Sequence, residues 1–305
     1  LGQQRRNKGR NINGIVVLDK AEGLTSNAAL QQVKRLFEAN KAGHTGSLDP
    51  LATGVLPLCL GEATKVSQFL LDSDKKYRAR IRLGIRTDSG DCQGNVIERH
   101  EAVQVTRRTV ERALKRFEGD ITQVPPMYSA LKVDGVPLYK MARRGETVER
   151  EPRQVTVYSI ELTAFDEREL EVEIACSKGT YIRTIADDLG QVLGCGAHII
   201  ALRRTQAGVF TETDCVTREA LETEKEQTGL PGIDRHLIPM DEAIGDLPEV
   251  VLPNETASYV KNGQAVLVRH LPEEGLVRLY DEEQFIGIGC IDDDGKVAPR
   301  RLIVT

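Results

Sequence analysis

The chain of 305 residues is longer than one compact core usually takes, and its 40% hydrophobic and 29% charged residues are ordinary for a soluble globular protein. No apolar run approaches the ~18 residues of a membrane span, and the basic, polar start from Leu1 to Arg10 lacks the apolar middle of a secretory signal. The expectation is a cytoplasmic protein of two domains behind a basic tail, residues 1–10. Its six cysteines (Cys59, Cys92, Cys176, Cys195, Cys215, Cys290) form no Cys-x-x-Cys pair, and its five histidines do not cluster beside them. That argues against structural zinc and for reduced thiols. The net charge of −5 is uneven: nine acids against Lys225 and Arg235 give the stretch Glu219 to Glu249 a charge of −7, leaving +2 elsewhere. Local basic stripes decide phosphate affinity, so the total does not exclude nucleic acid.

In chain order, Ile12 to Asp19 reads as a buried strand, followed by a turn at Lys20-Ala21-Glu22-Gly23. Ser26 is placed to cap a helix with Leu30, Val33 and Phe37 on one face. Gly43 to Gly61 is rich in Gly and Pro but too apolar for a solvated linker, so it reads as a structured loop packed into the core. Tyr77 to Leu83 alternates apolar residues with Arg78, Arg80 and Arg82, the pattern of a half-buried strand with an arginine stripe. That stripe reads first as a solvated face and second as a phosphate contact.

Thr106 caps a second helix carrying Val110, Leu114 and Phe117, and residues 124–153 read as an extended, partly basic insertion of a kind often functional. Glu169 to Ser177 alternates again, and Lys178-Gly179 turns it into a helix from about Thr180. The acidic stretch breaks the composition, and short strand-like runs beyond Val250 describe a small, mostly β domain. The fold class is α+β: a mixed-sheet domain over 11–248, then a β domain over 249–305.

Three positions carry the chemical argument. Asp49 lies between Leu48 and Pro50-Leu51, apolar neighbours that desolvate a carboxylate unless a cation pairs with it. The flanking glycines permit close approach of backbone to a ligand. Arg183 occupies the first turn of its helix, where the macrodipole disfavours a cation; the sharper reading has it reach a buried carboxylate and keep it ionised. Tyr77, near the edge of its strand, is either a core ring or a platform for an unstacked base. His44 is either a hydrogen-bonded loop histidine or a substrate contact.

Together these segments closely resemble the bacterial tRNA pseudouridine-55 synthase family. The matching pieces are the twelve residues Gly43–Gly54, then Leu56–Lys65, Lys76-Tyr77-Arg78, Pro126–Lys132, Ser177–Thr184 and Leu202-Arg203-Arg204. The resemblance implies a pseudouridine-synthase catalytic domain followed by a PUA-like RNA-binding domain, acting on tRNA without cofactor or metal, as a monomer. It implies that Asp49 is the catalytic carboxylate, Arg183 its ion-pair partner and Tyr77 the ring that stacks on the target base. His44 would help displace that base from the T loop, while Tyr181 and the Leu202 backbone line the uracil pocket; Lys65 also matches. Lys20-Ala21 stands where the family has Lys-Pro, which frees one backbone dihedral beneath the aspartate loop.

Breaking N1–C1′, turning the uracil and joining C5 to C1′ involves no redox or phosphoryl chemistry, so a carboxylate suffices, much as the nucleophile of a retaining glycosidase does. Tyr77 and Asp49 are both candidates for the base that removes the C5 proton. The target base must first be flipped out of its stack. Two rivals stand beside this reading: an RNA-binding or tRNA-folding chaperone without turnover, and a nucleoside or glycoside hydrolase.

Overall fold

A computed structural model describes residues 9–269, 271 and 275–303. The expected basic tail therefore lies, but for Gly9 and Arg10, outside the described residues. A nine-stranded mixed sheet organises the larger part of the chain. Its strands run in the order Gly14–Lys20, Thr53–Leu60, Ala197–Ala207, Lys75–Leu83, Glu169–Cys176, Arg153–Asp166 and Gly119–Gln123, with two short strands, Ala42–His44 and Phe210–Thr211, added alongside. Thr53–Leu60 runs parallel to Ala197–Ala207, while the neighbouring ladders are antiparallel. This parallel junction sits deep within the sheet and brings Arg204 opposite Gly54 on one side and opposite Tyr77 on the other.

The first two strands are apolar on both faces because each face has its own core. Val16, Leu18, Leu56, Leu58 and Leu60 join the main core, packed under helices Ser26–Leu36 and Ile182–Val192. Ile15, Val17, Val55 and Cys59 point the other way, into a second core with Val66, Leu70, Phe210, Ile244 and Ile288. A strand covered on both faces shows no alternation. For that reason the second half of Gly43 to Gly61, expected as a loop, is instead the strand Thr53–Leu60. Gly54 makes it possible: φ is +97°, and a Cβ there would come within 2.2 Å of the Arg204 carbonyl oxygen.

The helix cap also differs from expectation. Thr25 accepts from the Ala28 amide, while Ser26, one residue on, turns inward. Its hydroxyl accepts from the Leu48 amide at 2.7 Å and donates to the Leu48 carbonyl at 3.1 Å, fastening the residue before Asp49 to the helix. Ser26→Ala leaves both buried groups unpaired. We expect a loss of ~1–3 kcal/mol, read as a lower urea midpoint at unchanged slope. Thr106 caps its helix as expected.

The acidic stretch is ordered structure rather than a linker. Helix Arg218–Asp234, broken at Gly229, buries Leu221 and Ile233 in the main core and buries none of its acids. The arginine stripe is paired too: Arg78 with Glu173 at 3.2 Å, Arg80 with Glu169 at 2.8 Å and Arg82 also with Glu169. These cross-strand pairs remove support from the phosphate reading of that face. Beyond Pro248 a five-stranded sheet forms in the order Glu249–Leu252, Gly275–Asp281, Gln284–Ile291, Lys296–Leu302, Val266–Leu267, with helix Asn254–Lys261 beside it. Among the described residues no helix is long and apolar enough to cross a membrane.

Candidate active site

The Asp49 loop is pinned from below at several points. The Pro50 carbonyl accepts from the Gly23 amide at 2.8 Å, and the Ala52 amide closes a turn onto the Asp49 carbonyl at 3.0 Å. Lys20 is fully buried and donates to the carbonyls of Ala21 and Pro50, at 2.8 and 3.4 Å. Burial pulls its pKa down to about 8, against the opposing pull of the nearby Asp49 carboxylate. Leu48, Leu51 and Ala52 are buried around the loop, so the backbone cannot swing while the Asp49 carboxylate faces outward.

Arg183 meets that carboxylate. Its Nε lies 2.8 Å from Asp49 Oδ2, joining residues far apart in sequence. The other two nitrogens are fixed by backbone: Nη1 donates to the Ser89 carbonyl at 2.9 Å and Nη2 to the Tyr128 carbonyl at 2.7 Å. A second carboxylate, Asp91 Oδ2, stands 3.9 Å from the same Nε. Asp91 is itself buried and held by the Ser89 hydroxyl at 2.6 Å and the Gln93 amide at 3.0 Å. Arg183 is thus buried between a fixed structural acid and a more exposed one, and such geometry makes a buried guanidinium tolerable.

Asp49 opens onto a cavity of about 430 Å³, walled by Tyr77 and Leu202 of the central strands, Tyr181 and Arg183 of the helix start, and Ser129 to Leu131 of the insertion. Its size falls in the ~300–1,000 Å³ range of small-molecule sites. Two other surface concavities, beside Glu219 and Glu282, lie away from Asp49 and Arg183. Asp49 is the one carboxylate among the residues that line the cavity. Burial raises the pKa of Tyr77 although part of its ring reaches the opening, so the phenol is neutral near pH 7. Tyr181 is raised for the same first reason, and its backbone is clasped by the buried Gln123 side chain at 3.0 and 3.3 Å.

Asp49, Arg183, Tyr77, Tyr181 and Leu202 therefore meet at one cavity. His44 and Lys65 do not line it. His44 lies on the short strand behind the loop, where burial and then Arg204 lower its pKa, and its Nδ1 is buried without a hydrogen-bond partner. Lys65 donates to the Leu302 carbonyl at 2.6 Å and pairs with Glu62, tying the C-terminal sheet to the larger one. Its ammonium is engaged there, away from the cavity lining. Sequence reasoning missed Asp91, hidden in the turn-like Asp88-Ser89-Gly90-Asp91, and gave no role to Lys20, Lys75 or Arg204. Among the described residues no group of three or more His, Cys, Asp or Glu is arranged to hold a metal ion.

Three family models match the chain from residue 34 onward: TruB family pseudouridylate synthase (N terminal domain) over 34–182, the tRNA pseudouridylate synthase B C-terminal domain over 183–245, and pseudouridine synthase II TruB, C-terminal, over 248–303. The chain is 54% identical to tRNA pseudouridine synthase B of Tolumonas auensis, across 99% of this chain and 96% of that protein. The chain belongs to the TruB family of pseudouridine synthases. The protein of the same name from Aliivibrio fischeri is also 54% identical, over 98% and 97% of the two chains.

Among solved structures, a chain of a Cbf5-Nop10-Gar1 complex superimposes with a TM-score of 0.73 at 28% identity, covering 95% of this chain and 84% of that one. A chain of an H/ACA RNP bound to a substrate RNA containing 2′-deoxyuridine gives 0.72 at 26% identity, over 96% and 85%. The mixed-sheet α+β fold with a C-terminal β domain is shared with these synthases. Within a TruB-family site, Asp91→Asn keeps the size and hydrogen bonds of that residue and deletes one charge facing Arg183. We expect single-turnover rate to drop about tenfold, equivalent to ~1.4 kcal/mol of barrier, with RNA affinity unchanged in filter binding.

Proposed function

We propose that this chain converts uridine-55 in the T loop of tRNA to pseudouridine, with Asp49 as the nucleophilic carboxylate acting on a flipped-out base. The observation that carries this reading is the Asp49–Arg183 ion pair at the mouth of a cavity whose lining offers no second carboxylate. A glycoside or nucleoside hydrolase ordinarily needs a second acid, ~5–9.5 Å from the first, to protonate the leaving group or activate water. An isomerase that rejoins the same base to the same sugar needs one.

The substrate follows from the relatives named tRNA pseudouridine synthase B. In this reading Tyr77 stacks on the uracil, Tyr181 and the Leu202 backbone line its pocket, and His44 assists displacement from behind the loop. Asp49 attacks C1′ as the glycosidic bond breaks, and Arg183 holds it aimed.

Residues 11–248 form the catalytic unit, with the insertion 124–153 and the PUA-like unit 249–305 as RNA grips. Exposed Lys132, Lys140, Arg143 and Arg144 on the insertion support that assignment, because its inner residues also form the cavity wall. Affinity for a T-arm hairpin is expected to fall steeply from 50 to 200 mM salt, with a log–log slope of about −2 to −4 if those side chains meet phosphates; a flat response refutes the grip. The function itself is tested by mapping pseudouridine in tRNA from cells lacking this protein. The T-loop modification is expected to vanish and to return with the intact gene; its persistence refutes the assignment.

A further inference from the structure

Pseudouridine formation, the reading on which this inference rests, moves one hydrogen as well as one bond. The uracil gains a proton at N1 and loses one at C5, so the site must give and take a single proton. Asp49 is occupied with the sugar. Several hydroxyls line the cavity, on Ser47, Ser129, Ser177, Thr180, Tyr77 and Tyr181, and of these Tyr77 stands opposite an unusual neighbour.

Arg204 is 1% exposed and stands opposite Tyr77 in the ladder between Lys75–Leu83 and Ala197–Ala207. Its Nε donates to the Val55 carbonyl at 2.7 Å and its Nη2 to the Gly46 carbonyl at 3.1 Å. No carboxylate among the described residues forms an ion pair with it, whereas Arg78, Arg183 and Arg203 each pair with one. Lys75, also buried at the cavity wall, is likewise held by backbone carbonyls, those of Leu70, Leu71 and Ser73. A buried cation without a counter-charge is costly. Such a cost is offset where negative charge appears transiently beside it.

We propose that Arg204 is the positioning residue that lets the one hydroxyl of Tyr77 serve both as proton donor to N1 and as proton acceptor from C5. In the first half, the electron pair of the N1–C1′ bond passes to N1, which takes the phenol proton, while an Asp49 oxygen bonds to C1′. The resulting phenolate is held by Arg204. After the base turns, C5 attacks C1′, the Asp49–C1′ pair returns to the carboxylate, and the C5 proton passes to the phenolate. Should Asp49 instead remove and return a C2′ proton, the cycle at Tyr77 is the same. N1–C1′ and C5–H are exchanged for C5–C1′ and N1–H, and no other reactant is consumed.

The surroundings fit this role. Burial raises the pKa of the Tyr77 phenol, the charge of Arg204 pulls it back down, and Cys176 and Asp49 oppose that pull. Cys176 stays a neutral thiol, pushed up to about 12 by burial. Lys75 is pulled down to about 8 by burial, as is Lys20, so either titrates in the working range. His44, depressed by burial and by Arg204, stays neutral.

The test reads single-turnover release of the C5 hydrogen from a tritiated T-arm RNA. Arg204→Lys is expected to slow it about 10²-fold, the lower range of an acid–base contribution, and to add little to Tyr77→Phe. Equal slowing in both backgrounds would mean that Arg204 only braces the loop, and the proposal fails. The second arm replaces Tyr77 by 3,5-difluorotyrosine, which acidifies the phenol and leaves Arg204 in place. An alkaline limb is then expected to enter the measurable pH range and to move upward in Arg204→Lys. A profile indifferent to fluorination overturns the proposal even if Arg204→Lys does not fold, and a limb near 8 in every variant belongs to Lys20 or Lys75. Turnover by the unaltered protein with none by Asp49→Asn separates this outcome from failure of the reading beneath it.

Discussion

Asp49→Asn is expected to bind a T-arm RNA as tightly as the unaltered protein and to turn none of it over. The amide keeps the volume of the carboxylate, and the loop does not depend on the side chain for its shape. Its bonds run through backbone at Pro50 and Ala52 and through Ser26 to Leu48. Arg183 retains Ser89, Tyr128 and Asp91 as partners, so the helix start stays in place. What disappears is the one anionic oxygen facing the cavity. The single-turnover rate should fall by about 10⁴-fold or more, the scale on which losing a central catalytic group is felt. Quench-flow with the C5-tritiated RNA measures the rate, and filter binding on the same preparation measures affinity. Lost affinity with a retained rate would reverse the assignment.

Arg183→Lys is the second large effect. Lysine preserves the charge but not the fork, and this guanidinium serves three directions at once: Asp49, the Ser89 carbonyl and the Tyr128 carbonyl. One ammonium on a flexible stem cannot hold that geometry. We expect about 10²–10³-fold off the rate, as when one preorganised electrostatic partner is removed. Arg183→Ala adds a folding penalty, because Asp91 is left buried beside no cation; uncompensated buried charges cost ~3–5 kcal/mol. The contrast is diagnostic. Lysine should separate rate from stability in parallel urea and kinetic measurements, whereas alanine should lower both.

Much of the site was legible because its motifs are long. The twelve residues around Asp49 and the run from Ser177 to Thr184 name their residues in order, and the cavity brings Asp49, Arg183, Tyr77, Tyr181 and Leu202 together. What sequence hid, it hid for physical reasons. Asp91 looks like a turn residue because it is one; its charge matters only because Arg183 arrives from a distant helix. Thr53–Leu60 carries no alternation since both of its faces are covered. Ser26 and Thr25 are equally good caps on paper, and the choice between them is made by Leu48, which needs a buried partner. The arginine stripe looked available until its neighbouring strand supplied Glu169 and Glu173 in register.

Lys65 shows that a motif residue can also carry a structural tie. Its place in a matching motif suggested substrate contact, yet its ammonium serves the joint between the two sheets. The same joint is reinforced where the Tyr280 hydroxyl donates to Asp241 at 2.7 Å and Arg278 Nε to the Leu247 carbonyl at 2.9 Å. The C-terminal sheet is thereby tied to the larger one at three points.

The central claim is that a lone carboxylate exchanges one bond of uracil for another without releasing the base. Incubating the purified chain with a T-arm RNA tritiated at C5, without added cofactor, tests it most directly, with tritium counted and the nucleosides separated afterwards. The account predicts one tritium released per RNA, an intact strand and one pseudouridine at the target position. Free uracil with an abasic sugar, or an RNA recovered with all its tritium, would contradict it.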